Sequence, residues 1–503
     1  MSAAFAVLMT AGILPAQAAP DRSTAFLDRV EAFSSTFSDI VFVQINILST
    51  PVEVIVLWLA APMVIFTVYF GFINLRCFKL AYKILRGCYR DPEAPGEVSQ
   101  FQALSTALSG TVGLGNIAGV AIAISIGGPG AALWMVIIAF FAMTLKFSEC
   151  TMAVKYRVLH DNGTVSGGPM YYLKLGLEAR GWSKLGKILA ATYAVFAVFS
   201  ILQLGQVNQA YSQINLVTGL DSPWLFGIML AALTGLVIFG GLRSIVRVTS
   251  RLVPFMCALY IIASLIIIVS HYADIPQAIA TIVTGAMAPD GVVGGIIGVF
   301  VIGMRRAVYS TESGIGSAAM AHAAAKTNEP VSEGMVALLE PFIDTIVVST
   351  MTALVIVITG AYQIDGLRDI QMTSAAYGSV FSWFPYILAV LVFLFAFSTI
   401  ISWGYYISKV WEYLFGRSRL SRSAFRSIYC LALIPGGALS IHQIIDIIDS
   451  FFFLMAVPNI IGLYLLAPEL KKDLADYLRR IKSGEIRQCE PIRLTRNSFS
   501  LNL

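Results

Sequence analysis

The sequence predicts an all-α polytopic membrane protein of eleven transmembrane helices. Ten form a five-plus-five inverted repeat with a discontinuous first helix in each half, and one extra helix precedes them. Three observations predict this. The composition is 57% hydrophobic and 13% charged, whereas soluble domains run about 45–50% apolar and 25% charged. Lysine and arginine crowd into alternate loops. A glycine-interrupted apolar segment recurs at the same place in both halves.

Taken in order, residues 1–20 read as a secretory signal or an uncleaved leader, with Ala16-Gln17-Ala18 as an A-x-A-like cleavage pattern and no basic residue ahead of the apolar run. Residues 21–50 read as an external segment, and 51–76 as the extra helix. The first repeat, 101–271, holds spans near 101–124, 129–154, 186–216, 223–242 and 252–271. The second, 292–468, holds 292–320, 335–361, 379–412, 425–442 and 446–468. Each is as long as the roughly 17–25 residues that cross a bilayer, or longer. Residues 469–503 form a tail.

The loops check the count. Arg76, Lys79, Lys83, Arg86 and Arg90 follow the first span, and loops 155–187, 243–251 and 417–426 are also basic. Loops 125–128, 217–222, 272–291 and 443–445 carry no lysine or arginine, and 362–378 carries Arg368 alone. Strict alternation puts the N-terminus outside and the C-terminus in the cytoplasm of a cell that holds the protein in its inner (plasma) membrane. The net charge of +5 belongs to this bias. No run of like charge or basic-aromatic pattern points to nucleic acid. The six cysteines lie in apolar spans or basic loops, where disulfides are not expected. No metal-hydrolase, CxxC or P-loop pattern occurs, so enzymatic and ATP-driven chemistry have no support.

The central stretch is Ser109-Gly-Thr-Val-Gly-Leu-Gly-Asn-Ile-Ala-Gly119. A glycine inside a helix costs about 0.5–1 kcal/mol relative to alanine. Several together point either to a helix that unwinds within the bilayer or to close packing through a GxxxG seam. The Gly113-Leu-Gly115 pattern recurs as Gly314-Ile-Gly316, each in the opening span of a five-span block. Five is odd, so the blocks run oppositely through the membrane. Paired interrupted helices in inverted halves mark a transporter's binding site, with freed backbone and half-helix ends to hold an anion and a cation.

Charge at the bilayer centre costs about 2.5–3.5 kcal/mol and needs a cavity or partner. Arg305, Arg306 and Glu312 flank the second break. Glu312 either pairs with an arginine, caps a half-helix or meets the ligand. Glu340 and Asp344 lie four apart on one helix face, for gating and packing or for a proton or cation relay. Lys146 and Glu149 read as an interfacial ion pair. Ser398 and Thr399 put two hydroxyls in mid-span, either bonded back to the preceding turn or supplying oxygens to sodium. Gln203, Gln206 and Gln209 form a polar stripe, either interhelical glue or a cavity wall.

The string Gly-Thr-Val-Gly-Leu-Gly-Asn-Ile-Ala-Gly-Val resembles the first span of the alanine/glycine:cation symporters, as do Glu-Pro-Phe-Ile-Asp-Thr (340–345), Ala-His-Ala-Ala-Ala-Lys-Thr (321–327) and Phe-Ala-Phe-Ser-Thr-Ile (395–400). The resemblance covers roughly 50–470. It implies a secondary symporter that imports a small neutral amino acid with sodium, or in some members protons, by alternating access. It implies no cofactor besides the coupling ion. The backbone of Leu114, Gly115 and Asn116 would meet the substrate carboxylate, and carbonyls near Tyr309 and Thr311 its amino group. Gln209, Thr399 and Trp403 would wall the pocket. Carbonyls of Ser109 and Val112 with the hydroxyls of Ser398 and Thr399 would hold sodium. Arg306, Glu312, Glu340 and Asp344 would gate or support. Where the family usually reads Gly-Leu-Phe-Ser-Asn-Glu-Ala-Gly, this chain reads Ala307-Val-Tyr-Ser-Thr-Glu-Ser-Gly314. A sensor on the same scaffold is the other class, but the tail after Pro468 is too short for a folded output domain.

Overall fold

The computed structural model describes residues 33–47, 50–200, 203–287, 294–367, 369–438 and 442–488. The leader expected at 1–20 lies outside the described residues, as does Arg368. The chain enters through a helix over 33–41 and an antiparallel hairpin, β1 (Gln44–Ile47) and β2 (Thr50–Glu53), with Ile45 opposite Val52. The hairpin leads directly into α1 (Val54–Tyr69), the extra helix.

The first repeat opens with α2 (Gln100–Thr111) and α3 (Leu114–Gly127). Ser99 starts α2 with a reciprocal cap: its hydroxyl accepts from Gln102 N at 3.2 Å, and Gln102 Oε1 accepts from Ser99 N at 2.9 Å. The repeat continues with α4 (Gly130–Lys155), α5 (Ser183–Phe199), α6 (Leu204–Thr218), α7 (Pro223–Ile238) and α8 (Gly241–Ser270). The stretch 272–291, expected as a loop, holds α9 (Ile275–Met287), which packs on α4.

The second repeat opens with α10 (Gly295–Thr311), an irregular stretch, and the four-residue α11 (Ala319–His322). Next come α12 (Pro330–Ala337), a π-helical segment Phe342–Ser349, and α13 (Thr350–Ile358). Another expected loop contains α14 (Asp369–Gly378), laid against α3. The chain ends through α15 (Phe384–Phe415), α16 (Arg419–Leu433), α17 (His442–Leu454) and α18 (Ala456–Ser483).

Every expected span therefore contains helix. Seven segments of the described chain are long and apolar enough to cross a membrane; α1 and α7 are apolar but shorter. The other two, α10 and α16, carry arginines, in α10 beside the break. Burial separates centre from periphery. The window through α2 and α3 is 89% buried, against 44% for α8. On α8, Phe255, Ile262, Ile266 and Val269 are exposed, an apolar face suited to lipid.

Candidate functional site

Both glycine-rich segments are interrupted, so the unwound reading holds over the continuous seam. In the first, α2 ends at Thr111, Val112 is extended (φ −71°, ψ 97°), and α3 restarts at Leu114. The Asn116 side chain causes the restart, because its Oδ1 takes Gly113 N–H at 2.9 Å. Ser109 C=O thereby loses its helical donor, and Asn116 N–H bonds to Gly113 O at 3.2 Å rather than to Val112 O. The N–H groups of Leu114 and Gly115 fall in the first turn of α3, where no intrahelical acceptor exists.

In the second, α10 runs two residues beyond Tyr309, and the chain turns at Glu312 in the left-handed region (φ +51°). Gly314 and Gly316 follow at φ +91° and +83°, conformations that favour glycine. Ser313 N–H goes to Thr311 Oγ1 at 3.3 Å, and Gly314 N–H to Glu149 Oε1 at 2.9 Å. Ile315 N–H goes to Glu312 O at 3.3 Å. The carbonyls of Tyr309, Ser310 and Thr311 thus lose the donors a continuing helix would give them.

The two breaks meet. A Cβ placed on Gly115 would lie 3.7 Å from Ser310 Cα and 3.9 Å from Tyr309 O. Free N–H groups at one half-helix start accordingly face free carbonyls at the other half-helix end, each adding its partial charge.

Beside the first break lies an oxygen cluster. Ser109 Oγ donates to Ser398 O at 2.8 Å; Ser398 Oγ lies 2.9 Å from Phe395 O and 3.5 Å from Ser109 O. Thr399 Oγ1 is buried with no hydrogen-bond partner, 2.8 Å from where a Cβ on Gly113 would sit. Carbonyl and hydroxyl oxygens with one buried orphan suit a small hard cation. Ser109, Ser398 and Thr399, three of the four residues expected around sodium, lie close to the first break here, with the Phe395 carbonyl beside Ser398.

Behind α3 lies a second polar cluster. Asn116 Nδ2 sits 2.6 Å from Asp344 Oδ1, 2.8 Å from Ser310 Oγ and 3.2 Å from Ser349 Oγ. Asp344 Oδ2 accepts from Ser310 at 3.0 Å and Thr345 at 2.7 Å. The wide π turn that carries Asp344, Thr345 and Ser349 presents them together; such turns gather at functional sites.

Several expectations are corrected. Glu312 does not pair with an arginine: Trp403 Nε1 donates to it at 3.0 Å, and the Ser317 hydroxyl also donates. Arg305 turns away to Glu53 at 2.9 Å, and Arg306 lies over the Tyr309 ring at 5.8 Å. Lys146 and Glu149 are neither interfacial nor paired together. Both are fully buried; Lys146 lies 3.4 Å from Glu340, while Glu149 binds Gly314 N–H and Asn459. Helix direction explains this, since α4 runs its polar end past the second break. Glu340 and Asp344 go to different clusters, Glu340 facing Lys146 and His322. The Tyr309 ring stacks on Phe452 at 5.6 Å, so its carbonyl rather than its ring faces Gly115. Asn116 offers its side chain to Asp344, and its N–H is already taken. On α6, Gln206 and Gln209 keep buried, unpaired Oε1 atoms, and Gln213 reaches Ser374 at 3.3 Å.

Sequence reasoning missed Ser310, Thr345, Ser349 and Asn459. Asn459, a lone amide in an apolar run, carried a visible signal; the three hydroxyls did not. Two surface cavities flank the bundle. One of about 530 Å³ is lined by Leu216, Gln371, Ser374 and Tyr386, the other of about 400 Å³ by Gln102, Arg243, Arg247 and Arg251. Neither is lined by residues of the breaks, where Gly115 and Tyr309 are partly buried.

The profile of the Sodium:alanine symporter family matches residues 35–491. The chain is 39% identical over 408 residues to the sodium/alanine symporter AgcS of Methanococcus maripaludis, covering 80% of this chain and 89% of that one. It is 36% identical over 428 residues to the amino-acid carrier protein AlsT of Bacillus subtilis, covering 83% and 88%. The fold is similar to that of MhsT, crystallised in complex with L-phenylalanine, at TM-score 0.52 and 15% identity over 73% of this chain and 89% of that one. That likeness bears out the five-plus-five inverted repeat. With its two interrupted helices, its spanning segments and these relatives, the chain is a multi-pass membrane transporter, not an enzyme, and belongs to the sodium:alanine symporter family.

Proposed function

We propose that the protein imports a small neutral amino acid, alanine- or glycine-like, together with sodium by alternating access. The observation that carries this is the approach of Gly115, in the first turn of α3, to the free carbonyl of Tyr309 at the end of α10. A zwitterion fits that pairing, carboxylate to the N–H side and ammonium to the carbonyl side. Thr399, Trp403 and Gln209 wall the space. Ser109 and Val112 carbonyls with Ser398 and Thr399 hydroxyls hold sodium next to the carboxylate. Asn116, Asp344, Glu312 and Glu340 hold the breaks in register, and Arg306 lies beyond Tyr309.

The relatives named as alanine symporters support this substrate and ion. Loop charge supports an inner-membrane location with the N-terminus outside and the C-terminus inside. The membrane potential adds about 2.3 kcal/mol per charge per 100 mV to the inward drive. Purified protein in proteoliposomes tests the reading. Radiolabelled alanine accumulates under an inward sodium gradient and is competed by small neutral amino acids. Equal uptake with and without sodium would refute the sodium coupling.

A further inference from the structure

Two carboxylates bracket the second break, and among the described residues neither forms an ion pair. Glu149 Oε1 accepts Gly314 N–H at 2.9 Å and Asn459 Nδ2 at 2.7 Å; its Oε2 is buried without a partner. Glu312 accepts from Trp403 Nε1 and Ser317. Among the described residues, no lysine, arginine or histidine nitrogen lies within ion-pair distance of either. The cations of this layer are engaged elsewhere: Lys146 with Glu340 at 3.4 Å, and His322 with Glu333 at 2.6 Å and Glu340 at 3.5 Å.

Ionised throughout, the layer would hold four carboxylates (Glu149, Glu312, Glu333, Glu340) against Lys146 and a charged His322, a net charge of −2 inside the protein. Isolated buried charge is costly, and a carboxylate relieves it by taking a proton. We propose that Glu149 and Glu312 form a proton-binding site. It is loaded with one proton while the second break is closed and emptied when water reaches the break. The transport cycle then contains a protonation step. The cycle rests on the transport reading above; the proton site does not.

The surroundings favour a proton over a metal cation. N–H donors converge on both carboxylates, with their hydrogens aimed at the lone pairs a metal would need. The one open acceptor, Glu149 Oε2, suits a single O–H. Two buried hydroxyls without partners lie alongside to relay it. Ser313 follows Glu312 in the turn, and Tyr193 OH lies 3.2 Å from a Cβ position on Gly316. The other titratable groups facing the pair are Lys146 and Cys150 on α4, Glu340 just ahead of the π-helical segment, and Tyr172 and Tyr406. Behind Glu340 stand His322 and Glu333. The break itself carries the coupling. Glu312 is its first turned residue, and Glu149 grips Gly314 N–H, so opening the break strips both of partners.

Infrared spectroscopy on the purified full-length protein reads the proton directly, and uptake against pH reads its role. At neutral pH the wild type shows the carbonyl stretch of a protonated carboxyl, lost in Glu149→Gln or Glu312→Gln. Sodium-driven uptake falls as pH rises, approaching tenfold per unit at the alkaline end, as a single-proton requirement dictates. Glu149→Gln flattens that profile and Glu149→Asp keeps it. Absence of the wild-type band overturns the proposal, and that result needs no variant to fold. So does persistence of band and profile in both glutamine variants. A raised sodium requirement in Glu149→Gln with the profile unchanged overturns it in favour of a sodium site. Expected infrared results with no uptake by any form support the proton site and refute the transport reading.

Discussion

Asn116 Nδ2 lies 2.6 Å from Asp344 Oδ1, joining residues 228 positions apart in the chain. The bond ties the start of α3, in the first repeat, to the π turn of the second. The same amide caps Gly113 N–H, so a single side chain both opens the first helix and anchors it.

Removing that amide is therefore expected to disable transport rather than folding at large. Asn116→Ala leaves a buried carboxylate short of a donor, at a cost of about 1–3 kcal/mol or more. Uptake should fall at least about tenfold, as 1.4 kcal/mol is tenfold. Asp344→Asn should do likewise, and the double substitution should be much less than additive. Initial uptake rates for the four proteins, normalised to membrane expression, check the coupling.

Thr399 Oγ1 makes no protein hydrogen bond although buried. Thr399→Val keeps the shape and removes the oxygen, so thermal stability without sodium should change little. The sodium concentration for half-maximal uptake should rise about tenfold, the loss expected for an interaction of ~1.4 kcal/mol. Sodium titration of uptake, with melting curves in sodium-free buffer, separates the two effects.

Two neighbouring glycines should respond differently to alanine. A Cβ on Gly113 would come 2.8 Å from Thr399 Oγ1, whereas one on Gly115 meets Ser310 Cα at an ordinary 3.7 Å. Gly113→Ala should weaken sodium dependence strongly, and Gly115→Ala should keep expression and most transport. A bulky residue at Gly115 should abolish binding while sparing expression. Substrate binding with and without sodium checks each.

Two ion pairs mark opposite extremes of stability. Arg305, 37% exposed at its side chain, holds Glu53 of the entry hairpin. Because Glu53 is only 10% exposed, Arg305→Ala should cost about 1–3 kcal/mol, less than the loss of a fully buried partner. Lys146 and Glu340 are fully buried, so Lys146→Ala should cost about 3–5 kcal/mol. Lys146→Met with Glu340→Leu should recover part of that loss. Melting temperatures of the purified variants decide it.

Much of this was legible in the sequence because the bilayer imposes strong patterns. Apolar runs located the spans, and loop charge ordered them. Gly113 and Gly314 marked the breaks because an interrupted helix needs them. The side-chain partners were not legible. Lys146 and Glu149 read as an ion pair because they lie three apart, yet α4 aims each at a different helix of the second repeat. Glu312 stood near two arginines in sequence, but the left-handed turn at its own position swings it toward Trp403. Helices α9 and α14 were missed because they cover other helices rather than spanning. Such pairings depend on how distant segments rotate against each other, which local spacing does not encode.

The most direct measurement is an experimental density map of the protein with alanine and sodium bound. The account predicts the substrate carboxylate within hydrogen-bond distance of Leu114 and Gly115 N–H, its ammonium against the Tyr309 and Thr311 carbonyls, and sodium touching Thr399 Oγ1. Alanine seated away from both breaks, in the cavity beside Leu216 and Tyr386 for instance, would contradict it.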